Sequence, residues 1–366
     1  MQPPTSNATS ATHRALALLT LGDPDAKDAE KQGESLPLPG FAVMGIETTG
    51  TDPESVEQAR KLDDWPAWDA SIKKELDQHK KMGTWILVKP PPDINVIGSR
   101  LVLRYKRDAT RAIVSCKSQF IAQGFSQIEG VDYNETFAPT AKLSAIQIVA
   151  TLAVRNNWEL EQMDVDSTYL NAPLKETIYM WQAKGYEEPG KPNHVCLLKC
   201  AVYGIRQAGH EWYDMLCQIM YGLNFKCCRV EHTVFYKHEV ANTILVAADV
   251  DDMTIARSSK RVICKFKEGL NQKVKIKDLG NLHWMLGIEV ERDRATRTIS
   301  FSQCTYITKI LEWFGLQDTN PLSTPLDPHH RLTLAQCPDT PCQYENMKNV
   351  PYHEAIRSLM YAALGT

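Results

Sequence analysis

The sequence predicts an α+β fold, and three observations carry that expectation. Helical and strand-like periodicities mix along the 366 residues without a regular βαβ repeat, which argues against a doubly wound parallel sheet. Hydrophobic residues make up 43% and charged residues 23%, ordinary globular usage that excludes a wholly disordered, collagen-like or fibrous chain. The longest apolar stretches, such as 244–248, fall far short of the ~20 residues a membrane span needs. At roughly 150 residues per domain, the length allows about two domains. No internal repeat is visible.

Taken in order, residues 1–50 are rich in Pro, Ser, Thr, Asp and Glu and read as a disordered leader or linker. The apolar run 15–21 follows only Arg14 and has no small-residue cleavage site after it, so it does not read as a signal peptide. Trp65, Trp68, Ile72 and Leu76 recur at helical spacing, with Lys73, Lys74, Asp77 and Lys80 opposite and Gly83 as a stop. A strand-like run over 84–88 ends at Pro90-Pro91-Pro92. Two further runs, 101–105 and 113–121, flank the turn-prone Asp108-Ala109-Thr110 and read as a hairpin. A helix is expected over 144–156, capped by Ser144. Strand-like segments follow near 162–165, 178–181 and 194–199. Helices are expected over 208–221 and 260–271, with strands at 234–237 and 243–250 between them.

The formal net charge of −3 hides an asymmetry. Residues 1–64 carry 11 acidic and 5 basic side chains, whereas 98–124 holds Arg100, Arg104, Lys106, Arg107, Arg111 and Lys117 against Asp108 alone. A basic stripe on a near-neutral chain fits a polyanionic partner at one face; a solvated charged strand fits it equally. The ten cysteines form no CxxC pair and no framework, which fits reduced thiols in an intracellular compartment. Cys337 and Cys342 lie near His329 and His330 but lack zinc-ligand spacing.

The acidic residues carry the chemistry. Asp251 and Asp252 end an apolar strand, a costly placement unless a divalent cation neutralises them or the pair sits in an exposed turn. Alone, the pair fits the turn better. Asp164, 87 residues earlier, lies on another short strand, with Asp166 expected on the same face. One Asp facing an Asp-Asp hairpin could hold two metals ~3.5–4 Å apart, as polymerases do for in-line phosphoryl displacement.

The motifs then become recognisable. Trp68-Asp-Ala-Ser-Ile-Lys-Lys-Glu-Leu76, Gly83-Thr-Trp85, Gly124-Phe-Ser-Gln127 and Gly130-Val-Asp-Tyr-Asn-Glu-Thr-Phe-Ala-Pro139 come first. Gln162-Met-Asp-Val165, Tyr203-Gly-Ile-Arg-Gln-Ala208, Glu211-Trp-Tyr213 and Val250-Asp-Asp252 follow. Asp278-Leu-Gly280, Leu286-Gly-Ile288 and Ser358-Leu-Met-Tyr361 complete the series. In this order, from about residue 52 to 366, the chain resembles the reverse transcriptase domain of copia-type LTR retrotransposons.

The resemblance implies a right-hand polymerase, with fingers over about 84–160, a palm over about 161–257 and a thumb-like part over about 258–366. It implies RNA-directed DNA synthesis on an RNA template and DNA primer, using deoxynucleoside triphosphates and Mg²⁺ or Mn²⁺. Asp164, Asp251 and Asp252 are then the catalytic, metal-binding carboxylates. Lys117 matches the first basic residue of the fingers motif, where it would meet the triphosphate. Tyr169 matches the aromatic steric gate, with core packing as its other reading, and Gln207 matches the glutamine near the incoming nucleotide. The stretch 282–288 resembles the loop that positions the primer, with core packing an equal reading. The family setting is cytoplasmic, in a virus-like particle, or nuclear, and not secreted. From the stop at Thr366 the expectation is no RNase H activity in this chain, and from the short leader no integrase or protease.

Several positions depart from the family pattern. Gln119 and Gln123 replace an arginine and a lysine in the fingers motif, removing phosphate-binding charge. Asp249 stands where an aromatic residue, most often Tyr, is usual, and its extra charge is expected to disturb metal binding or raise a neighbouring pKa. Gln147 and His210 replace basic residues. These departures also fit a decayed copy that binds nucleic acid without catalysis. An unrelated metal-dependent hydrolase is supported by the carboxylates alone.

Overall fold

The computed structural model describes residues 52–107, 112–239, 242–322, 329, 331, 333–348 and 350–365. The leader over 1–50, the turn at 108–110, Arg111 and His330 lie outside them. The described residues fall into two compact units, the first ending at Leu282 and the second starting at His283.

The first unit opens with α1 (Val56–Ala59), whose cap Ser55 accepts the Gln58 N–H, and α2 (Trp65–Lys81). α2 buries Trp68 and Ile72, and the chain leaves it through Gly83 at φ +63°, a left-handed conformation that favours glycine. Strands β1 (Trp85–Val88) and β2 (Val96–Ile97) precede the long hairpin β3 (Ser99–Arg107) and β4 (Ile113–Ala122). Its inner face packs Leu101, Leu103 and Phe120 toward α2, where Ser71 accepts the Ser118 N–H and donates to the Cys116 carbonyl. Arg100, Arg104, Lys106 and Lys117 alternate onto the other face, so the basic stripe exists as a surface.

Helix α3 (Leu143–Arg155) starts one residue before the expected helix. Its N-cap is Lys142 rather than Ser144, and no side chain caps it. The entry is set from outside, because the preceding Ala141 N–H is taken by Asp249. Next come β5 (Glu159–Val165), β6 (Tyr179–Trp181), β7 (Val195–Leu198), α4 (Ala208–Gly222), β8 (Lys226–Cys227) and β9 (Val234–Glu239). The unit closes with β10 (Asn242–Asp249), β11 (Asp252–Arg257), α5 (Lys260–Asn271) and β12 (Ile276–Asn281).

Two sheets organise these elements, a four-stranded one ordered β1-β7-β6-β2 and a six-stranded one ordered β12-β5-β11-β10-β9-β8. Every pairing in the larger sheet is antiparallel. Ile244 to Ala248 are all buried, so β10 is covered on both faces and its apolar run is continuous rather than alternating. α5 and β12 belong to this unit, so the compact unit extends past residue 258.

Asp166 sits just past the end of its strand. β5 ends at Val165, Ser167 adopts φ +53°, and the chain turns into a 3₁₀ turn over Thr168–Asn171. Asp166 nevertheless continues the β5–β12 ladder by one residue, its N–H donating to the Lys275 carbonyl and its carboxylate pairing with Lys275 Nζ at 2.5 Å, so it shares the face of Asp164 as expected.

The second unit holds the antiparallel strands β13 (Trp284–Met285), β14 (Ile288–Asp293) and β15 (Thr298–Ser302), then α6 (Cys304–Trp313), α7 (Pro341–Lys348) and α8 (Tyr352–Gly365). The β13–β14 hairpin turns at Leu286 and Gly287, φ +49° and +70°, within the stretch that resembles the primer-positioning loop. The Tyr361 hydroxyl donates to the Leu286 carbonyl, and its ring stands edge-on to Tyr306. None of the ten cysteines is in a disulfide. No helix among the described residues is long and apolar enough to cross a membrane.

Candidate active site

The strand register builds the site. Lys277 on β12 pairs with Asp164 on β5, Asp164 pairs with Asp252 on β11, and Asp252 pairs with Asp249 on β10. Directly paired residues share a sheet face, so one row across four strands reads Lys277, Asp164, Asp252, Asp249. Asp251 stands in the two-residue turn that joins β10 to β11.

That turn is strained. Val250 adopts φ +56°, an outlier for a β-branched residue, in a position a two-residue hairpin loop usually gives to glycine or asparagine. Such strain costs about 1–3 kcal/mol and persists where the surroundings hold it. Here the indole of Trp212 donates to the Val250 carbonyl at 2.7 Å, and the Val165 N–H donates to the Asp251 carbonyl at 3.0 Å.

The carboxylates resist ionisation. Partial burial pushes Asp164 above the usual carboxylate range, and the charges of Asp251 and Asp166 add to it against Lys277 and Lys117. Asp251 is also raised by burial, opposed by the backbone N–H groups of Asp251 and Asp252 and by Lys117. Asp252 reaches solvent, yet desolvation and the charges of Asp251, Asp164 and Asp249 push its carboxyl up to about 6. Asp249 is raised by burial and by Asp251, while the Ala141 N–H at 3.1 Å favours its ionised form.

The expected site residues therefore separate into groups. Asp164, Asp251 and Asp252 come together, and exposed Lys117 lies within their electrostatic reach. Tyr169 is 4% exposed, edge-on to Tyr203 with ring centroids 4.9 Å apart. Burial and the charges of Asp251 and Asp249 hold its hydroxyl up to about 12, so the tyrosine sits beside the carboxylates as a core residue. Gln207 is fully buried in a different network. Its Oε1 accepts from Gln127 Nε2 at 3.0 Å, and its Nε2 donates to the Asp132 carbonyl at 2.8 Å and to Glu176 at 3.3 Å.

Lys277 and the Trp212 contact went unread in the sequence. Val274-Lys-Ile-Lys277 alternates apolar and basic residues with a strand period, and that pattern would have placed Lys277 on a strand face. The donor chemistry suits a hard divalent cation, since all three carboxyls are raised by desolvation and the charge of Asp251 raises Asp164 and Asp252 further. They lie in a row rather than around a point: among the described residues no three His, Cys, Asp or Glu side chains enclose a metal position.

Comparison with known proteins gives the family. The family described as reverse transcriptase (RNA-dependent DNA polymerase) matches residues 82–328. The retrovirus-related Pol polyprotein from transposon TNT 1-94 of Nicotiana tabacum is 33% identical over 316 residues, 86% of this chain and 24% of that protein. The corresponding polyprotein from transposon RE1 of Arabidopsis thaliana is 29% identical over 306 residues, 83% of this chain and 20% of its own length. The Ty1-GR3 Gag-Pol polyprotein of Saccharomyces cerevisiae is 26% identical over 323 residues, covering 86% and 17%. This chain thus spans about a quarter or less of these relatives. Among solved structures, a foamy viral protease-reverse transcriptase in complex with double-stranded DNA aligns at 10% identity and a TM-score of 0.33, covering 66% of this chain and 36% of that one. The family match spans well over half of the sequence, and the chain belongs to the reverse transcriptase (RNA-dependent DNA polymerase) family, in its copia-type retrotransposon branch.

Proposed function

We propose that this chain is an RNA-directed DNA polymerase that extends a DNA primer on an RNA template. The observation that carries the reading is the row of Asp164 and Asp252 beside the Asp251 turn, where desolvation raises all three carboxyls and mutual charge adds to it at Asp164 and Asp252. In the reaction, the primer 3′-oxygen loses its proton and bonds to the α-phosphorus of the incoming deoxynucleoside triphosphate. The α–β bridging bond breaks and pyrophosphate leaves. A divalent cation, Mg²⁺ or Mn²⁺, bound by Asp164, Asp251 and Asp252 would supply positive charge to the reacting phosphates.

The chain's own residues supply the rest. Lys117 and Lys277 flank the carboxylates and balance triphosphate and backbone charge, while the outer face of the β3–β4 hairpin offers Arg100, Arg104 and Lys106 to phosphates. Tyr169 packs beside the site as the proposed sugar gate, and Gln207 supports the nucleotide pocket through its buried amide network. The fingers would fall over about 84–160, the palm over about 161–257 and the thumb-like part after about 258. Catalysis would come mainly from positioning and electrostatics.

A binding-only relic is the second reading, favoured by the uncharged Gln119 and Gln123 in the fingers strand and turn. Extension of a labelled DNA primer on an RNA template, with Mg²⁺ or Mn²⁺, separates the two. Binding of the primer–template without any extension favours the relic, and template hydrolysis without extension would favour a nuclease instead.

A further inference from the structure

Residues 135–141 form no helix or strand, yet they are held along their length. The Glu135 carboxylate accepts the N–H groups of Thr136 at 3.0 Å and Phe137 at 2.9 Å. His210 Nδ1 donates to the Phe137 carbonyl at 2.8 Å. Ala138 lies so close to α4 that a Cβ on Gly209 would stand 3.2 Å from its methyl group. At the far end, the Ala141 N–H donates to Asp249 Oδ1 at 3.1 Å.

These contacts close a triangle. The segment is tied to the first turn of α4 by His210 and to the end of β10 by Asp249. α4 is tied to the β10–β11 turn by the bond from Trp212 to the Val250 carbonyl. The turn inside that triangle has reason to need bracing. It holds a β-branched residue at φ +56° and gathers carboxylates that repel one another.

We propose that Asp249 and His210 are positioning residues that act together, through the 135–141 segment, to brace the β10–β11 turn against α4. They are two of the positions at which the chain departs from the family pattern, and in isolation each reads as a loss. Both departures nevertheless contact the same seven-residue segment and complete one network. Independent decay gives no reason for two drifting residues to find complementary partners on one loop. Asp249 is thus a hydrogen-bond acceptor for the brace as well as a charge that acts on Asp252. This inference rests on the polymerase reading for its kinetic consequence, though not for the brace itself.

The test uses the full chain and two substitutions at one site. Asp249→Asn keeps an oxygen acceptor and removes the charge, whereas Asp249→Val removes the acceptor at similar volume. Amide hydrogen exchange at Ala141 should stay slow in Asp249→Asn and accelerate about tenfold in Asp249→Val and in His210→Ala, as expected for losing one part-buried hydrogen bond. The Asp249→Val/His210→Ala double variant should exchange little faster than either single one, because members of one network are not additive. In primer extension, Asp249→Val and His210→Ala should lower kcat about tenfold with little change in nucleotide KM or melting temperature, and Asp249→Asn should recover most of the rate. Unchanged Ala141 exchange in Asp249→Val, equal damage from Asn and Val, or additive effects would overturn the brace. Absence of extension by the wild-type chain would instead overturn the polymerase reading, and the exchange pattern would still decide the brace.

Discussion

The two faces of strand β5 carry acids in opposite states. On one face Asp164 meets Asp252 and, through it, Asp249, with Lys277 and Lys117 as opposing positive charge. On the other, buried Glu161 meets Lys267 Nζ at 2.6 Å, and the same ammonium reaches Asp278 on β12 at 2.5 Å. Lys267 is itself buried, so Glu161 has its own cation inside the protein, and the ammonium it shares with the exposed Asp278 fastens α5 and β12 to β5. The contrast separates structural from functional charge. A buried acid with its own cation is part of the framework, while a crowd of acids without enough cation is waiting for one from outside.

Breaking each face should have opposite signatures. Asp251→Asn should cut extension by orders of magnitude with little loss of melting temperature, because it removes a charged ligand and relieves repulsion. Steady-state extension and a thermal melt check this, and wild-type-like activity would end the carboxylate proposal. Lys267→Ala should do the reverse. Removing one partner of a buried ion pair leaves Glu161 uncompensated, at a cost of about 3–5 kcal/mol. Denaturant unfolding should show the loss, and activity per folded molecule should fall much less. Equal stability in that variant would mean that Glu161 finds water or another partner.

Legibility in the sequence follows the same division. Helix α2 and the β3–β4 hairpin announced themselves, because one face of each is apolar and the other charged, with Gly83 as a stop. The carboxylates were legible as types, since acids ending apolar strands are conspicuous. Their row was not, because strand order and register are set by pairing between residues such as Asp164 and Lys277, 113 positions apart. β12 escaped notice since Asp278 and Gly280 disguise its alternation and a bulge interrupts it there. The strand period is enough to put Asp166 on the face of Asp164, whereas the left-handed Ser167 that ends the strand has no strong sequence signal. Asp249 read as damage because its partner, the Ala141 N–H, is a backbone group and invisible to any motif.

The crowded face should also reveal itself through pH. The Asp252 carboxyl lies at about 6 in the folded chain against an ordinary value of 3.8. A raised carboxyl pKa means that folding favours the protonated acid. Its stabilising contribution is therefore complete below the unfolded value and is lost as pH rises through about 6. The melting temperature of the metal-free protein should carry a downward contribution across that window, and Asp252→Asn should flatten it. Mg²⁺ should raise the melting temperature more at pH 7 than at pH 4.5, since the ionised row binds cations and the protonated one does not. An equal Mg²⁺ effect at both pH values would show that the cation binds elsewhere.

The smallest effect is expected where the site meets the basic stripe. Gln119 lies two residues from Lys117 on the outer face of β4, opposite Val102 on β3, so a longer side chain there would point to the same side as Lys117. The substitution Gln119→Arg would then add a planar, always-charged donor at the position where the family motif carries one. A charge-assisted hydrogen bond is worth about 1.5–3 kcal/mol when desolvated, and less at a half-exposed strand position. Gln119→Arg should thus lower the nucleotide KM by a few-fold, about twofold to tenfold, with kcat nearly unchanged, because it adds binding common to ground and transition states. Raising the ionic strength should shrink the gain, as screening acts on an exposed contact. A KM that stays the same or rises would place the triphosphate away from this strand. The missing charge at Gln119 would then be neutral drift on a solvated face, and Lys117 alone would mark the edge of the phosphate site.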